Sequence, residues 1–305
     1  MLTYAAKRVL TALAVLVTVS ILAFALTEAS VDQAAALAGA DATASDIARI
    51  RRDYGLDRPM PERYLAWAGR ALRGDLGQSL HYKQPVMTLI AERMPVTAML
   101  ALSSIAFALL IALPLGIGGA LAPGRLVDRL GVGVAVFGQA VPSFWTSLML
   151  IVIFGVDLGW LPISGSDQAE NFVMPTIALG LFTMPVLLRL TRAGMLDVLG
   201  SEYVRAARAR GLRPARVVLK HALRNAAMPL VAVAAVQFGY LLGGSIVTEQ
   251  IFAMHGVGYL AWQAILIGDT AIVQAIVLLM TFVYAVLTLG SDLLNAWFDP
   301  RIRMA

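Results

Sequence analysis

Six long apolar stretches constrain this chain more than any other feature of its sequence. Each is close to the roughly 20 residues that an α-helix needs to cross a bilayer, and none contains Lys or Arg except at its ends. Because lipid offers no hydrogen-bond partners, the backbone amides of such a stretch must be bonded within their own segment. The sequence therefore predicts an all-α membrane protein with about six transmembrane helices: Val9–Leu26, Ala98–Leu121, Val132–Val156, Phe172–Leu190, Pro229–Thr248 and Ala271–Leu294.

The composition agrees with a chain whose solvent is partly lipid. Hydrophobic residues make up 59% of the sequence and charged residues only 14%, against roughly 25% charged in soluble domains. The net charge of +5 does not predict a nucleic-acid partner, because the basic residues cluster at the ends of the apolar stretches. We therefore expect the chain to contact membrane lipid and to have no nucleic-acid partner.

The first apolar stretch has an alternative interpretation as a cleaved signal peptide. Basic residues precede it, and Ala23-Phe24-Ala25 resembles a cleavage site. Its apolar core of about 18 residues is longer than the roughly 7–15 residues of a signal peptide. We therefore interpret it as a retained transmembrane helix.

The distribution of Lys and Arg predicts the orientation in the membrane. Lys7 and Arg8 precede the first span, Arg125 and Arg129 follow the second, and nine basic residues lie from Arg189 to Arg224. The short loops 157–171 and 249–270, on the other side, contain no Lys or Arg. Both termini are therefore predicted to be cytoplasmic, and the chain to be a multi-pass protein of the bacterial cytoplasmic membrane.

These features divide the chain into predicted parts. Residues 1–29 form the N-terminal cytoplasmic end and the first span, and residues 30–93 form an external helical subdomain. That segment contains basic residues, but at about 60 residues it is near the length beyond which the charge rule stops applying. Residues 94–299 form a five-span core with a cytoplasmic loop at 193–226, and residues 300–305 form a cytoplasmic tail.

Within the external segment the sequence predicts short helices and their ends. Ser45 is a candidate N-cap for a helix over residues 46–54, which Gly55 would end. Pro61 suits the first turn of a second helix, and a third short helix after Pro85 leads into the second span. Helical spacing places four residues of the second helix on one face: Tyr64, Leu65, Ala68 and Leu72.

The loop at 193–226 predicts a helix, a glycine turn and a second helix. Residues 202–210 favour a helix, Gly211 is a natural left-handed terminator, and Pro214 fits the first turn of the next helix. Four residues of the first helix follow the i, i+3, i+4, i+7 spacing of one face: Tyr203, Ala206, Ala207 and Arg210.

Two interpretations of this loop remain open from its residues alone. Small residues flanked by cations, here Arg205, Arg208 and Arg210, are typical of a helix that fits into a groove on another protein. Alternatively, the loop is a topology signal, since basic residues hold a loop in the cytoplasm without docking on anything.

The sequence contains no catalytic or cofactor motif. A nucleotide-binding loop needs Gly-Lys-Ser/Thr, and none of the lysines Lys7, Lys83 and Lys220 follows a glycine. Cysteine is absent, which excludes thiolate chemistry. The isolated histidines predict no metal site, and the chain is therefore predicted to be a non-catalytic subunit without a cofactor of its own. These histidines are His81, His221 and His255.

Polar residues inside the spans are candidates for a solute pathway. Gln139, Ser143 and Gln237 lie within predicted spans, and a buried amide without a partner is costly in hydrocarbon. Hydrogen bonding between helices is the favoured alternative for them. Pro114 and Pro142 are candidate kinks. Ionisable residues are scarce within the spans, which argues against a transporter coupled to ion flow.

Several motifs together resemble one family of membrane proteins. The run Arg205-Ala-Ala-Arg-Ala-Arg-Gly211, followed by His221-Ala-Leu-Arg-Asn225, resembles the EAA loop of binding-protein-dependent ABC importer permeases, in particular the B-type subunit of the dipeptide/oligopeptide branch. Further resemblances cover nearly the whole chain: Tyr54-Gly-Leu-Asp-Arg-Pro59, Gly74-Asp-Leu-Gly-Gln-Ser79, Phe252-Ala-Met-His-Gly-Val-Gly258 and Leu293 to Arg303. The general motif has Glu where this chain has Arg205, so a contact made through that Glu is not expected here.

The resemblance implies a function and a set of partners. It implies a permease subunit that moves di- or oligopeptides by alternating access, with a related C-type permease, two ATP-binding subunits that hold ATP and Mg²⁺, and an extracytoplasmic substrate-binding protein. The implied ATPase-docking residues are those of the loop: Tyr203, Arg205, Ala206, Ala207, Arg208, Arg210 and Gly211. Nickel complexes, glutathione and haem are alternative solutes of the same family. An ion-coupled secondary transporter and a membrane scaffold without transport are the rival classes.

Overall fold

The structure is a computed structural model, and it describes residues 2–30, 32–38, 42–53, 55–79 and 81–298. In these ranges the chain is helical and contains no β-strand. The helices before the second span are α1 (Leu2–Ser30), α2 (Gln33–Ala38), α3 (Ala44–Asp53) and α4 (Met60–Ala71). The remaining ones are α5 (Val86–Leu121), α6 (Leu126–Ala140), α7 (Ser143–Leu150), α8 (Val173–Leu199), α9 (Glu202–Ala209), α10 (Pro214–Arg216), α11 (Leu223–Gly244), α12 (Ile246–Ile251), α13 (Val257–Ile267) and α14 (Thr270–Phe298).

The predicted number of spans agrees with the structure once bent helices are counted. Four stretches in the described residues are long and apolar enough to cross a membrane alone: Tyr4–Ala29, Val86–Leu121, Ala169–Leu199 and Thr270–Ala296. Two further stretches do so as bent pairs, 126–157 with a bend of 99° and 214–244 with a bend of 53°. The fold is therefore an all-α membrane protein with up to six spans.

The third span, predicted over Val132–Val156 with a candidate kink at Pro142, is broken at that proline. Helix α6 ends at Ala140, Pro142 has an extended backbone with φ −61° and ψ 139°, and α7 continues as a π-helix over Ile151–Asp157. Proline lacks the amide hydrogen that would continue the helix, and its ring disfavours a helical residue before it. Pro114, the other candidate kink, lies inside α5, which continues without a break in its helical assignment.

Two other predicted boundaries are wrong. The short helix expected after Pro85 is the first part of α5, which starts at Val86 and runs for 36 residues. The predicted loop 249–270 instead contains the end of α12 and all of α13. Helix α13 belongs to a cluster of buried apolar residues together with the start of α5 and α14, which includes Val86, Ile90, Leu260 and Ile272.

The segment between α1 and α5 confirms some predicted helix ends and corrects others. Gly55 ends α3 with a left-handed φ of +63°, and Pro61 lies in the first turn of α4. The cap of α3 is Thr43 rather than Ser45: its Oγ1 accepts from the amide of Asp46 at 3.3 Å. Hydrogen bonds from the Thr43 side chain and backbone hold the pKa of the Asp46 carboxyl below its usual value. Tyr54, the predicted end of this helix, lies outside the described residues.

The predicted face of α4 is also wrong. Trp67 is buried and Tyr64 is half-buried against α1, whereas Leu65 and Leu72 are 68% and 90% exposed. Tyr64 and Trp67 form an aromatic cluster with Phe24 of α1, with ring centroids 5.7–6.1 Å apart. Aromatic burial against α1 therefore set the orientation of α4, and the aliphatic residues lie beside that contact.

The core of the bundle is built around α8, the most buried of the four long spans. Glycines permit close helix contacts there: a methyl group at Gly116 of α5 would lie 2.8 Å from the Thr191 side chain, and one at Gly138 of α6 would lie 2.6 Å from the Leu181 carbonyl oxygen. Because lipid does not drive helices together as water does, such small residues allow the van der Waals contact that holds spans in register.

Candidate functional site

The candidate site is the elbow, defined as residues 200–224, which joins α8 to α11. It consists of α9, a turn at Arg210–Gly211, α10 and a π-helix over Val217–Ala222. The predicted order of helix, glycine turn and helix is thus what the structure contains.

A Schellman motif forms the bend of the elbow. Gly211 has φ +75°, a left-handed conformation that L-residues with a side chain adopt at a cost. Its amide donates to the Arg208 carbonyl at 2.9 Å, and the Leu212 amide donates to the Ala207 carbonyl at 3.4 Å. Pro214 then lies in the first turn of α10. The angle between the two arms is therefore fixed by local hydrogen bonds and one glycine.

The inner face of the elbow packs on the protein itself. Val204, Ala207 and Val217 form a buried cluster, against which Val198, Leu199 and Leu212 are packed. Ala207 is 8% exposed, so one of the two alanines predicted for the docking face is occupied by an internal contact. Only Ala206 of the pair is exposed.

The outer face of the elbow keeps most of the predicted docking residues accessible. Tyr203 is 42% exposed, and its hydroxyl accepts a hydrogen bond from Asn225 Nδ2 at 2.7 Å. Arg205 forms an exposed ion pair with Glu202 at 3.0 Å, so this chain supplies its own acidic partner for the residue that replaces the family glutamate. Ala206, Arg208 and Arg210 are also exposed.

The second arm of the elbow connects this surface to the spans. Ala222 and Ala226 are buried against Ala120 and Met195, and a methyl group at Gly194 would lie 3.3 Å from the Ala226 carbonyl oxygen. The second arm of the elbow is therefore close-packed against α5, α8 and α11.

The three predicted pathway residues do not form one group of contacts. Gln139 on α6 is exposed and accepts from Arg189 Nη1 of α8 at 2.6 Å, which is the interhelical hydrogen bond that the sequence favoured as the alternative. Ser143 is half-buried, and its carbonyl accepts from the Ser147 hydroxyl at 2.9 Å. Gln237 is half-buried on α11.

The carboxylate of Glu249, at the other end of the core, is buried and was not among the predicted site residues. Glu249 is 0% exposed; its Oε1 accepts from the Thr97 and Ser245 hydroxyls at 2.7 and 2.8 Å, and its Oε2 accepts from the Tyr259 amide at 2.9 Å. The Thr97 hydroxyl in turn accepts from the Val257 amide at 2.8 Å. The carboxylate therefore holds the start of α13 against α5 and α12.

The glycines of the Phe252–Gly258 motif make this arrangement possible. A methyl group at Gly256 would overlap the Glu249 carboxylate, and one at Gly258 would lie 2.8 Å from the Ile246 Cα. In the sequence, the only sign of this site is an acid beside an apolar stretch; its donors lie on other segments and carry no local pattern.

Two further carboxylates are held in a similar way. Asp269, 2% exposed, accepts from the Ser79 hydroxyl at 2.6 Å and from the Ile272 amide at 3.4 Å, so it caps α14 and holds the Gly74–Ser79 motif. Asp128 on α6 forms a two-pronged ion pair with Arg192 of α8 at 2.6 and 2.9 Å. Glu249, Asp269 and Asp128 thus each accept from donors on other segments, and we interpret all three as structural anchors.

Comparison with known proteins covers both ends of the chain. The sequence model of the family described as "Binding-protein-dependent transport system inner membrane component" matches residues 112–304. The model of its N-terminal counterpart, "Binding-prot-dependent transport system membrane comp, N-term", matches residues 1–101.

Curated relatives match over their full length. The glutathione transport system permease protein GsiC of Salmonella paratyphi A is 39% identical over 304 residues, which is 99% of each chain. Proteins of the same name from Pectobacterium atrosepticum and Escherichia coli K12 are 40% and 38% identical over the same share of each chain.

Solved structures show the same fold at lower sequence identity. A chain of the MetNI methionine ABC transporter in an inward-facing conformation has a TM-score of 0.57 and 20% identity, and the match covers 70% of this chain and 97% of that one. A chain of an amino acid ABC transporter has a TM-score of 0.50 and 15% identity, covering 70% of this chain.

Proposed function

We propose, from the premise that this chain belongs to the family of binding-protein-dependent transport system inner membrane components, that it moves a small peptide across the bacterial cytoplasmic membrane, with glutathione as the first candidate. As a member of that family it is a multi-pass permease subunit of an ABC importer. The observation that supports the solute is the end-to-end similarity to proteins named as glutathione permeases. Glutathione is itself a tripeptide, so it falls within the class that the sequence motifs indicate.

The proposed complex contains a second, related permease of the C type, two ATP-binding subunits and an extracytoplasmic substrate-binding protein. ATP and Mg²⁺ would bind on the ATP-binding subunits, because this chain has no Gly-Lys-Ser/Thr loop of its own. Both termini and the elbow would lie in the cytoplasm, on the side where the basic residues are concentrated.

The elbow is the proposed docking site for an ATP-binding subunit. Its outer face presents Tyr203, Ala206 and Arg210, with Arg205 and Arg208 beside them. Its inner face is packed through Val204 and Ala207 onto the end of α8. A push on the outer face would therefore be transmitted to α8 and α11, tilt the spans, and change which side of the membrane the solute cavity faces.

Reconstituted transport tests this function. The four-subunit complex in proteoliposomes, supplied with its binding protein and ATP, is expected to accumulate radiolabelled glutathione, and unlabelled glutathione should compete better than nickel complexes or haem. Uptake of one of these other solutes without uptake of glutathione or peptides would replace the proposed substrate. Uptake by this chain alone, without the ATP-binding subunits, would contradict the importer mechanism itself.

A further inference from the structure

We propose that α4 is an interfacial helix, which lies on the membrane surface at the end of α1 and inserts Leu65 and Leu72 among the lipid acyl chains. This proposal needs only that the chain spans a membrane, and it is independent of the solute and of the ATP-binding partners. It concerns the segment between α1 and α5, which the sequence predicted to fold as an external subdomain.

The depth of α4 follows from its contact with α1. The Tyr64 hydroxyl lies 2.8 Å from the Ser20 hydroxyl, and Ser20 in turn donates to the Val17 carbonyl at 2.8 Å, so the hydrogen between the two side chains comes from Tyr64. Ser20 lies six residues before Leu26, the end of the apolar stretch, which is about 9 Å of helix rise. Interfacial helices bury their apolar face to a similar depth of roughly 5–10 Å.

On α1, the residues around this contact form an exposed apolar surface of the kind that faces lipid. Of the four long spans, α1 is the least buried, and its outer half leaves Ile21, Leu22 and Leu26 exposed at 43%, 55% and 66%. Any element that reaches Ser20 alongside this helix therefore enters the layer that the same helix shares with acyl chains.

The apolar arc of α4 is only half covered by α1. Tyr64 and Trp67 contact Phe24, whereas Leu65 and Leu72, seven residues apart and hence on one face, are 68% and 90% exposed. Leu72 directly follows α4 and keeps helical dihedral angles of φ −63° and ψ −21°. By the 100° per residue of an α-helix, the uncovered half lies next to Tyr64 and on the side away from Trp67.

The polar side of α4 is oriented for water and headgroups. Glu62 and Ala66 are exposed and project away from the aromatic contact, by the 100° per residue of an α-helix. Arg63 forms an ion pair with Glu28, near the end of α1, at 2.5 Å. A protein that docks from the aqueous side would meet this polar arc rather than the two leucines, so lipid is the occupant that the geometry favours.

The absence of cysteine allows a direct test. Leu65→Cys and Leu72→Cys, each carrying a nitroxide spin label, are reconstituted with the whole importer into vesicles of phosphatidylethanolamine and phosphatidylglycerol. Ala66→Cys on the polar arc is the matched control, and Leu13→Cys, on α1 and 51% exposed, calibrates the acyl layer. Accessibility to oxygen, which partitions into lipid, is compared with accessibility to a water-soluble nickel chelate.

We expect oxygen accessibility to exceed chelate accessibility several-fold at positions 65 and 72, as at position 13, and the reverse at position 66. Higher chelate than oxygen accessibility at positions 65 and 72 would mean that α4 stands clear of the membrane and would overturn the proposal. Low accessibility to both reagents at the two leucine positions would mean that a protein subunit covers them, which also overturns it. Since the labels report position rather than transport, each result is separate from the test of the solute.

Discussion

At the scale of single residues, Glu249 holds three segments of the chain together. Its carboxylate accepts from Thr97 of α5, from Ser245 beside α12 and from the backbone of Tyr259 in α13. A carboxylate with this many donors stays in place because removing any partner would leave an unpaired polar group in a buried region.

Replacing Glu249 is expected to destabilise the protein in proportion to the donors left unpaired. Glu249→Ala leaves the Thr97 hydroxyl and the Tyr259 amide without an acceptor, each at about 1–3 kcal/mol, whereas the Ser245 hydroxyl can still donate to the Leu242 carbonyl at 3.2 Å. Thermal unfolding of the purified complex should therefore begin several degrees lower. Glu249→Gln keeps one oxygen acceptor and the side-chain length, and should cost less. The exposed Glu92→Gln is the control and should leave unfolding unchanged; equal thermograms for Glu249→Ala and this control would contradict the anchoring role.

The residues of the predicted docking face show which features of the elbow follow from their spacing and which do not. The spacing of Tyr203, Ala206 and Arg210 identified an exposed face of α9 correctly. The same spacing included Ala207, which is buried with Val204 and Val217, because helical periodicity gives a face but does not say where neighbouring elements overlap its edge. The contact of Ala207 depends on the position of Val217, which begins the π-helix after the glycine turn.

At the scale of elements, the elbow depends on one left-handed residue. Gly211 has φ +75°, and a Cβ atom there would meet no atom within 4 Å. A substitution at this position therefore acts first on the backbone conformation, because the added Cβ has open space around it. This separates the effect of the elbow from the effect of packing.

Gly211→Val is expected to uncouple ATP hydrolysis from the permease. A β-branched residue disfavours the left-handed conformation by roughly 1–2 kcal/mol, so the arms of the elbow should adopt other angles. Asparagine tolerates this conformation, which makes Gly211→Asn the matched control. Stimulation of ATP turnover by the substrate-loaded binding protein should fall in the valine variant and persist in the asparagine variant. Full stimulation in both would exclude the elbow as the coupling element.

The bend in the third span is larger than a single proline predicts. Pro142 predicts a kink, but no sequence signal predicts the direction or size of the 99° bend between α6 and α7. The contact of α6 with α8, through Gly138 and the Asp128–Arg192 pair, holds one arm in place. The position of the other arm therefore follows from packing rather than from the proline alone.

At the scale of the whole molecule, one buried contact ties the α1–α5 segment to the last span. Asp269 caps α14 and accepts from Ser79 at 2.6 Å, and Tyr82 donates its amide to the same Ser79 hydroxyl at 2.9 Å. Gln274 of α14 also donates to Thr27 of α1. These contacts bring together residues from opposite ends of the sequence and close the bundle at this end.

Asp269→Ala is expected to loosen the segment between α1 and α5. With its anchor removed, the arginine-rich stretch from Arg49 to Arg73 should be cleaved by trypsin several-fold faster in the purified complex, because proteases cut segments that open locally. Ser79→Ala removes the hydrogen bonds to Asp269 and from Tyr82 but leaves the cap of α14 in place, and should have a smaller effect. Asp167→Ala, at an exposed position outside this segment, serves as the control, and cleavage of Asp269→Ala at the control rate would show that the segment is held by other contacts.

Local sequence signals account for most helices of this protein, whereas the contacts between the helices depend on the packed bundle. Apolar length fixed the spans, and glycine and proline fixed the ends of α3, α4 and the elbow, because these signals act over a few residues. The anchors at Glu249 and Asp269 join residues 152 and 190 positions apart. No local pattern specifies such partners, since only the packed bundle determines which polar groups are removed from water together.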